Sequence, residues 1–207
     1  MSTVQEIITD SRYDLGDFGG QKYNDVQMLH HMNRIVKILD DILVSLESDY
    51  TKTSSEVILL TGDNTVSMPT RSDKIQWVWY GTDRLLKEPL DTVMYRFQLN
   101  DATSTTGLPS FWAYNNANLY FNIEADADYT FNVYHHIKTD TLSLTDDMPY
   151  NDEFNQYLRE AIVSMAQKVS DNQIPGVDQQ WYGSFKNIVE RHVVSRGIKQ
   201  KNYHIDF

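Results

Sequence analysis

The chain has 207 residues, enough for one domain, with or without an insertion, that folds without disulfides or structural metals. Its 41% hydrophobic and 12% aromatic content excludes intrinsic disorder, and its lack of cysteine excludes disulfides, thiolate zinc sites and thiol nucleophiles. With 18 basic and 29 acidic residues, the net charge is −11, which opposes free binding to nucleic acid or to an anionic membrane.

Two helices are predicted at the N-terminal end. Ser2-Thr3, followed three residues later by Gln5-Glu6, fits a capping box for a helix at about 3–15. Gly16 is expected to end this helix. A second helix is predicted at about 22–48, because apolar residues recur there at intervals of three and four. Its apolar stripe comprises Met28, Met32, Ile35, Leu39, Ile42 and Leu46, widened by Leu29, Val36 and Leu43.

After residue 51 the period of the apolar residues becomes two, which predicts strands with one buried face. Ile75, Trp77 and Trp79 are expected on such a face. Residues 90–99 fit either a helix or a strand, and we favour a helix. The last two strands are expected to form a hairpin through residues 124–128. The predicted strands are 57–60, 75–79, 111–114, 118–123 and 129–137.

Helical periodicity returns after residue 150. Asn151 is a good N-cap for a helix, and a further helix is predicted from about residue 178 to 196, where Gly197 ends it. The apolar face of the first of these helices comprises Phe154, Leu158, Ala161, Ile162, Met165 and Val169. The apolar rows of the second comprise Trp181, Phe185, Ile188 and His192, with Tyr182, Val189 and Val193 beside them.

The order of elements predicts an α+β fold. Two amphipathic helices at each end cannot bury their stripes alone, so we expect one helical bundle from residues 1–50 and 150–196. Residues 51–149 are expected to form an inserted antiparallel β-sheet domain, and residues 197–207 an extended C-terminal arm.

The histidines and acidic pairs do not predict a catalytic or metal site. Neighbouring residues point in different directions, so neither His30-His31 nor His135-His136 can chelate one metal by itself. His135 shares a strand face with apolar residues and is expected to be a hydrogen-bonded, partly buried ring. The acidic pairs, which we expect on solvated faces or at helix N-termini, are Asp40-Asp41, Asp146-Asp147 and Asp152-Glu153.

Known catalytic and nucleotide-binding motifs are also missing from the sequence. It contains no H-E-x-x-H, G-x-S-x-G, G-x-x-x-x-G-K-[ST] or G-x-G-x-x-G pattern. The turn Asp126-x-Asp128 lacks the glycine and the distal glutamate of a calcium loop. We therefore expect no enzymatic activity, no cofactor and no metal.

The end of the chain differs in charge from the rest. Residues 186–207 contain five basic and two acidic residues, a net charge of +3, so residues 1–185 have −14. The segment 197–207 is basic and aromatic without a visible way to bury itself, which favours an arm that docks on another protein. The alternative is a tail folded back on its own bundle.

A series of local patterns occurs in a fixed order between residues 22 and 169. They are Leu29-His30-His31-Met32-Asn33-Arg34-Ile35, Thr65-Val66-Ser67-Met68-Pro69 before 75–79, Pro109-Ser110-Phe111-Trp112-Ala113, 118–121, 129–134, Leu142, Met148-Pro149 and 154–166. In this order they resemble the head-to-tail adaptor proteins (tail tubular or head-completion proteins) of tailed bacteriophages.

The resemblance implies a structural virion protein without catalytic residues. Such a protein forms a ring, usually a dodecamer, beneath the portal protein, and joins it to a downstream tail or nozzle protein. It implies that double-stranded DNA passes through the lumen without specific binding, which suits an acidic body. It also implies a place in the neck or tail of the virion. From the sequence itself we expect assembly in the host cytoplasm and no membrane partner, because no stretch approaches the 18 consecutive apolar residues of a membrane span.

The same resemblance implies that the bundle forms the ring wall, that the β insertion faces the next tail component and that the arm reaches the portal. The predicted portal-binding residues are Ile198, Tyr203, Ile205 and Phe207 as apolar anchors, with Lys199 and Lys201 as rim charges.

Two other classes of function stay open at this point. A hydrolase could use a cluster of Asp, Glu and His, provided that the fold brings them together. A carbohydrate-binding or host-recognition module could use Trp77, Trp79 and Trp112, provided that these side chains are exposed.

Overall fold

The computed structural model describes residues 2–101, 106–150, 152–170, 183 and 185–193, without the side chains of 100, 101 and 168–170. The fold class is α+β, as predicted. The chain divides into two compact units, and residues 51–138 form one of them, here called the β unit. The described residues before 51 and after 138 form the other, here called the helical unit.

Side-chain caps fix the starts of the first two helices, α1 (Val4–Asp14) and α2 (Asp25–Ser45). The Thr3 hydroxyl accepts the Glu6 N–H at 3.2 Å, and the Glu6 carboxylate accepts the Thr3 N–H at 2.8 Å, which confirms the predicted capping box. Asn24 caps α2, so this helix is three residues shorter at each end than predicted.

The helical unit has one apolar core. A short 3₁₀ turn (Asp152–Phe154) leads into α4 (Asn155–Ser170), and residues 185–193 are helical. Asn151 and residues 171–182, where an N-cap and the start of the last helix are predicted, lie outside the described residues. The core includes Val4, Ile7, Ile8, Met28, Met32, Ile35, Val36, Leu39, Ile42, Leu43, Phe154, Leu158, Ala161, Ile162, Phe185 and Val189.

The segment that returns from the β unit also belongs to this core. Leu142 and Met148 are buried among the helices, although the sequence assigns residues 139–149 to the β insertion. The same segment pairs with the start of α1, where the Val4 N–H donates to the Asp146 carbonyl at 3.0 Å and the Gln5 N–H to the Leu144 carbonyl at 3.2 Å.

The described β unit contains two four-stranded sheets rather than the single predicted antiparallel sheet. The first has the order β1 (Lys52–Leu59), β8 (Tyr129–Ile137), β3 (Ser72–Tyr80) and β4 (Asp83–Arg84), and all its pairs are antiparallel. The second has the order β2 (Thr65–Ser67), β7 (Asn118–Phe121), β6 (Phe111–Asn115) and β5 (Leu86–Lys87). Its β5–β6 pair is parallel, so this sheet is mixed.

The predicted hairpin between the last two strands is wrong, because β7 and β8 belong to different sheets. β7 pairs instead with β6 through the turn Asn116-Ala117, in which both residues have positive φ. Residues 124–128 connect the two sheets, and the buried Ala125 anchors this connection. Its carbonyl accepts the Gly62 N–H at 2.8 Å, and its N–H donates to the Asp63 carbonyl at 2.9 Å.

A helix covers the outer face of the second sheet. α3 (Leu90–Asp101) confirms the helix that we favoured for residues 90–99, and it packs on β6 and β7. Its Val93 is fully buried, and the Arg96 guanidinium lies 3.9 Å from the centre of the Phe111 ring. The other face of this sheet shares a core with the first sheet, which includes Val57, Leu59, Ile75, Val78, Trp112, Leu119, Phe121, Phe131 and Val133. The β unit therefore has three layers: sheet, sheet and helix.

Candidate functional site

The outer face of the first sheet carries an exposed aromatic pair. Trp77 on β3 lies opposite Tyr134 on β8, and the two side chains are 41% and 44% exposed. Their ring centres are 6.2 Å apart at 62°, and the Arg84 guanidinium lies 5.4 Å from the Trp77 ring. Ile58 on β1 is also exposed. We call these four residues, Trp77, Tyr134, Arg84 and Ile58, the sheet face.

A β-bulge in β3 places Trp77 on this surface. Ile75 pairs with His135 and Trp77 with Tyr134, so two steps along β3 match one step along β8. The alternation of side chains slips by one residue there, and Val78 takes the buried position. The prediction that Trp77 shares the buried face of Ile75 is therefore wrong.

A second exposed apolar surface lies on the opposite side of the β unit. Tyr95 and Leu99 are one helical turn apart on α3 and are 61% and 53% exposed. Leu86 on β5 is exposed as well. We call these three residues the helix face. The second sheet separates α3 from the first sheet, so the sheet face and the helix face point away from each other.

The tryptophans proposed for sugar binding have three different environments. Trp112 is buried, and its Nε1–H donates to the Leu85 carbonyl at 3.3 Å. Trp79 is partly buried, and its Nε1 has no hydrogen-bond partner among the described residues. Trp77 is exposed, as described above. The three side chains therefore do not form one exposed platform.

The helical unit presents one exposed aromatic side chain on an ordered loop. The Asp17 carboxylate accepts the backbone N–H groups of Tyr23, Lys22 and Gln21 at 2.7, 3.1 and 3.1 Å. The bond from the Tyr23 N–H is the largest of the effects that lower the pKa of Asp17. At the tip of this loop Phe18 is 73% exposed, and its ring lies against Tyr13.

A sequence profile with the description SU10 adaptor protein matches residues 2–201. The chain belongs to the SU10 adaptor protein family. This match confirms the resemblance to phage head-to-tail adaptors and identifies a structural phage protein that is a component of the virion. The expectation that the protein is not an enzyme is consistent with this family. In a search of the curated proteins no sequence matches the chain.

Two of the sequence patterns of the SU10 adaptor chain meet in the helical unit. Asn33 on α2 accepts the Leu142 N–H at 2.7 Å and donates to the Leu142 carbonyl at 3.0 Å. Two patterns that are far apart in the sequence are therefore joined in the structure, because the side-chain amide of Asn33 binds both the backbone N–H and the backbone carbonyl of Leu142.

Asp40 of the adaptor is fully buried, whereas we expected the pair Asp40-Asp41 on a solvated face. Its carboxylate accepts the Thr139 N–H at 2.8 Å and the Thr139 hydroxyl at 3.0 Å. It also accepts a hydrogen bond from the buried Tyr150 hydroxyl. Asp41 is exposed, as predicted. Asp40 can be buried because Thr139 and Tyr150, at the two ends of the segment that returns from the β unit, supply hydrogen bonds to its carboxylate.

The other acidic pairs also bind the backbone. Asp146 accepts the Ser143 N–H at 2.7 Å, and this bond lowers the pKa of Asp146. Asp152 accepts the Ser2 N–H at 3.2 Å, which likewise lowers the pKa of Asp152. Asp146 and Asp152 therefore bind separate backbone groups and do not converge on one site, whereas Glu153 accepts the Tyr50 hydroxyl at 3.3 Å and lies 3.1 Å from His192 Nε2.

The paired histidines of β8 are both buried. His135 confirms the prediction of a hydrogen-bonded ring: its Nε2 lies 3.0 Å from the Ser55 hydroxyl, and its Nδ1 lies 3.1 Å from the His136 carbonyl. His136 contacts the Thr51 hydroxyl at 2.7 Å and the Gln76 amide at 3.0 Å. Among the residues that the structure describes, no three His, Asp or Glu side chains are placed to hold a metal ion.

The carboxylates of the Asp126-x-Asp128 turn also have protein partners. Asp126 accepts the Tyr129 hydroxyl at 2.5 Å, which raises the pKa of Tyr129 to about 12. Asp128 accepts both the N–H and the hydroxyl of Thr61 at 2.9 Å, and the bond from the N–H contributes most to the lowered pKa of Asp128. Both side chains therefore stabilise the turn.

The predicted arm, residues 197–207, lies outside the described residues, as do all six predicted portal-binding positions: Ile198, Lys199, Lys201, Tyr203, Ile205 and Phe207. No helix in the described parts of the SU10 adaptor chain has both the length and the hydrophobicity to cross a membrane.

Proposed function

We propose that the protein is a ring-forming head-to-tail adaptor that joins the portal to a downstream tail or nozzle protein. The observation that carries the proposal is the family match over residues 2–201, which covers nearly the whole chain. The ring is expected to contain twelve copies, to form part of the DNA conduit and to assemble in the host cytoplasm. The helical bundle is expected to form the ring wall.

The distribution of charge supports a role as a DNA conduit. The β unit, residues 51–138, contains seven basic and ten acidic residues, a net charge of −3, so the rest of the chain has −8. DNA is held chiefly by Lys and Arg contacts to phosphate, so an acidic wall lets it slide. We expect the free protein to leave the mobility of double-stranded DNA unchanged in a gel at low salt. A retarded band would contradict this part of the proposal.

The C-terminal arm is the proposed contact to the portal. Ile198, Tyr203, Ile205 and Phe207 are large apolar side chains of the kind that anchor interfaces, and Lys199 and Lys201 supply rim charges.

The test is assembly of the full chain on the portal of the same phage. Mass photometry and negative-stain electron microscopy are expected to show rings with portal present and a monomeric or weakly associated protein without it. Deletion of residues 197–207 is expected to abolish portal binding. A chain that stays monomeric with portal overturns the adaptor role, and unchanged binding of the deletion variant overturns the arm contact.

Matched substitutions separate anchors from rim charges. Tyr203→Ala with Ile205→Ala and Phe207→Ala is expected to weaken portal binding by roughly tenfold or more. Lys199→Ala with Lys201→Ala is expected to reduce mainly the association rate and its salt dependence. Gln200→Ala with Asn202→Ala is the control in the same segment and is expected to bind as the wild type does.

The carbohydrate-binding alternative has one supporting observation, the exposure of Trp77. Two others oppose it: the Tyr134 ring stands at 62° to the Trp77 ring, and the Arg84 guanidinium lies over that ring at 5.4 Å. A flat aromatic platform open to a sugar is therefore not formed, and the adaptor role is the better supported function.

A further inference from the structure

We infer that the β units of neighbouring copies contact each other in the ring, with the sheet face of one copy packed against the helix face of the next. This inference rests on the proposed ring, and it names a second set of contacts in addition to those of the ring wall. The sheet face comprises Trp77, Tyr134, Arg84 and Ile58, and the helix face comprises Tyr95, Leu99 and Leu86.

The composition of the sheet face favours a protein as its partner. Trp, Tyr and Arg are the residues most enriched among those that dominate the affinity of protein interfaces. Here the Trp77 ring contacts both of the others, with its centre 6.2 Å from that of Tyr134 and 5.4 Å from the Arg84 guanidinium, so Trp77 is held in place before any partner binds. The bulge that turns Trp77 outward is a backbone device of the kind that re-aims a side chain at a functional surface.

The positions of the two faces favour a second copy of this chain. They lie on opposite sides of one three-layer unit, and they differ in composition. Contact between two different surfaces of the same protein is heterologous, and it generates a closed ring when the rotation between copies closes. Two identical surfaces meeting about a twofold axis would instead stop at a dimer.

The charges around the two faces are complementary. Lys52, Glu56 and Arg84 lie on the outer side of the first sheet and sum to +1. Around the helix face, Glu88, Asp91 and Arg96 sum to −1, with Arg96 bound to Glu88 at 3.8 Å. Opposite signs at the rim favour the contact between sheet face and helix face over contact of either face with itself.

The chain offers a direct test because it contains no cysteine, so an introduced thiol is unique. Trp77→Cys and Tyr95→Cys are prepared as two single variants and as one double variant, each in the full chain. Each protein is assembled on the portal of the same phage and treated with a short bismaleimide, and the products are separated on a denaturing gel. Circular dichroism checks that each variant is folded.

Each sample has a distinct expected product. The single variants alone are expected to stay uncrosslinked, their equimolar mixture is expected to give dimers, and the double variant a ladder of multimers. Asn116→Cys, an exposed position in the β6–β7 turn that belongs to neither face of the β unit, mixed with Tyr95→Cys is the control and is expected to give no dimers. Dimers from Trp77→Cys alone would show a contact of the sheet face with itself and would overturn the inference.

A second pair of variants tests whether ring assembly depends on the contact between the sheet face and the helix face. Trp77→Lys and Tyr95→Lys are each expected to reduce the yield of rings on the portal by roughly tenfold or more. Rings that form at wild-type yield with both variants overturn the inference. A change in tryptophan fluorescence on adding oligosaccharides that the wild type shows and Trp77→Lys lacks also overturns it, because it would assign the sheet face to sugar binding.

Wild-type protein separates the failure of this inference from failure of the proposed function. If the wild type forms no ring with portal, both are overturned. If the wild type forms rings but the Trp77→Cys and Tyr95→Cys mixture gives no dimers, the adaptor function stands and the contact between sheet face and helix face is overturned.

Discussion

The two units of the chain differ in what they leave exposed. The helical unit buries the apolar stripe of α2 and binds the returning segment through Asn33 and Asp40, and the chain outside the β unit holds −8 of the net charge. The β unit holds only −3 and leaves aromatic side chains exposed on two opposite faces. The described part of the helical unit exposes one aromatic pair, Tyr13 and Phe18, whereas the β unit exposes aromatic side chains on two opposite faces, where we propose the contacts between copies.

The largest expected effect tests whether the buried and exposed tryptophans of the β unit differ as the structure indicates. Trp112→Ala removes a fully buried ring and its hydrogen bond to Leu85, and it is expected to lower the free energy of unfolding by about 3–5 kcal/mol. Urea denaturation measures the loss, and hydrogen exchange is expected to show it in the strands. Trp77→Ala is the control, at about 1 kcal/mol or less. Equal losses for the two would contradict the assigned environments.

The next largest effect tests whether the buried Asp40 holds the returning segment against α2. Asp40→Ala leaves the Thr139 and Tyr150 donors without their acceptor, so the free energy of unfolding is expected to fall by about 2–4 kcal/mol. Thermal and urea denaturation measure it, and hydrogen exchange is expected to place the loss in the helices. Asp41→Ala, at the neighbouring exposed position, is expected to change it by less than about 1 kcal/mol. If Asp40→Ala leaves the free energy of unfolding unchanged, the buried carboxylate does not hold the segment from Thr139 to Tyr150 in place.

A smaller effect is expected at the start of α1. Thr3→Ala removes the acceptor for the Glu6 N–H and is expected to cost about 1 kcal/mol, measured by urea denaturation. Thr3→Ser keeps the hydroxyl and is expected to recover most of the loss. If Ser and Ala variants are equally destabilised, the methyl group rather than the cap is responsible.

The smallest effect concerns a surface ion pair between α1 and α4. Arg159 donates from Nη2 to Asp14 at 2.6 Å, and this hydrogen-bonded pair lowers the pKa of Asp14 and raises that of Arg159. Because both side chains are more than a third exposed, Asp14→Asn is expected to cost less than about 1 kcal/mol at pH 7.

The direction of the pKa shift of Asp14 determines how the stability contributed by the Asp14–Arg159 pair depends on pH. Because folding lowers the pKa of Asp14, its charged carboxylate stabilises the folded protein at any pH above its pKa in the unfolded chain, which is about 4. This contribution is lost as the pH falls through the lower pKa that Asp14 has in the folded protein. The difference between wild type and Asp14→Asn is therefore expected to shrink below about pH 4 and in high salt. A difference that persists in acid would point to packing rather than charge.

The helices could be predicted from the sequence because their signals are local. The capping box at Thr3 and Glu6 and the apolar spacing of α2 depend on residues within a few positions of each other. The burial of Asp40 could not be predicted, because Thr139 and Tyr150 lie about a hundred residues further along the chain.

The strand pairing was less predictable for the same physical reason. The bulge at Trp77 exists only in the pairing with β8, which lies more than fifty residues away. The true hairpin turn, Asn116-Ala117, places an alanine at positive φ, where glycine is the usual signal. Residues 124–128 contain two aspartates but connect two sheets, so turn composition alone did not distinguish this segment from the true turn region 115–118, which contains three asparagines. The predicted portal contacts, which lie in residues 197–207, stay predictions.

The hydrogen bonds from α2 to the returning segment also have a consequence for the order of folding during synthesis. Asn33 and Leu142 are 109 residues apart, so the ribosome completes the whole β unit before α2 can bind that segment. At about 5–20 residues per second, the apolar stripe of α2 waits on the order of 5–20 s for its partners. During that interval the nascent chain exposes an apolar helix surface of the kind that chaperones bind. Aggregation at this stage would limit the yield of protein for assembly.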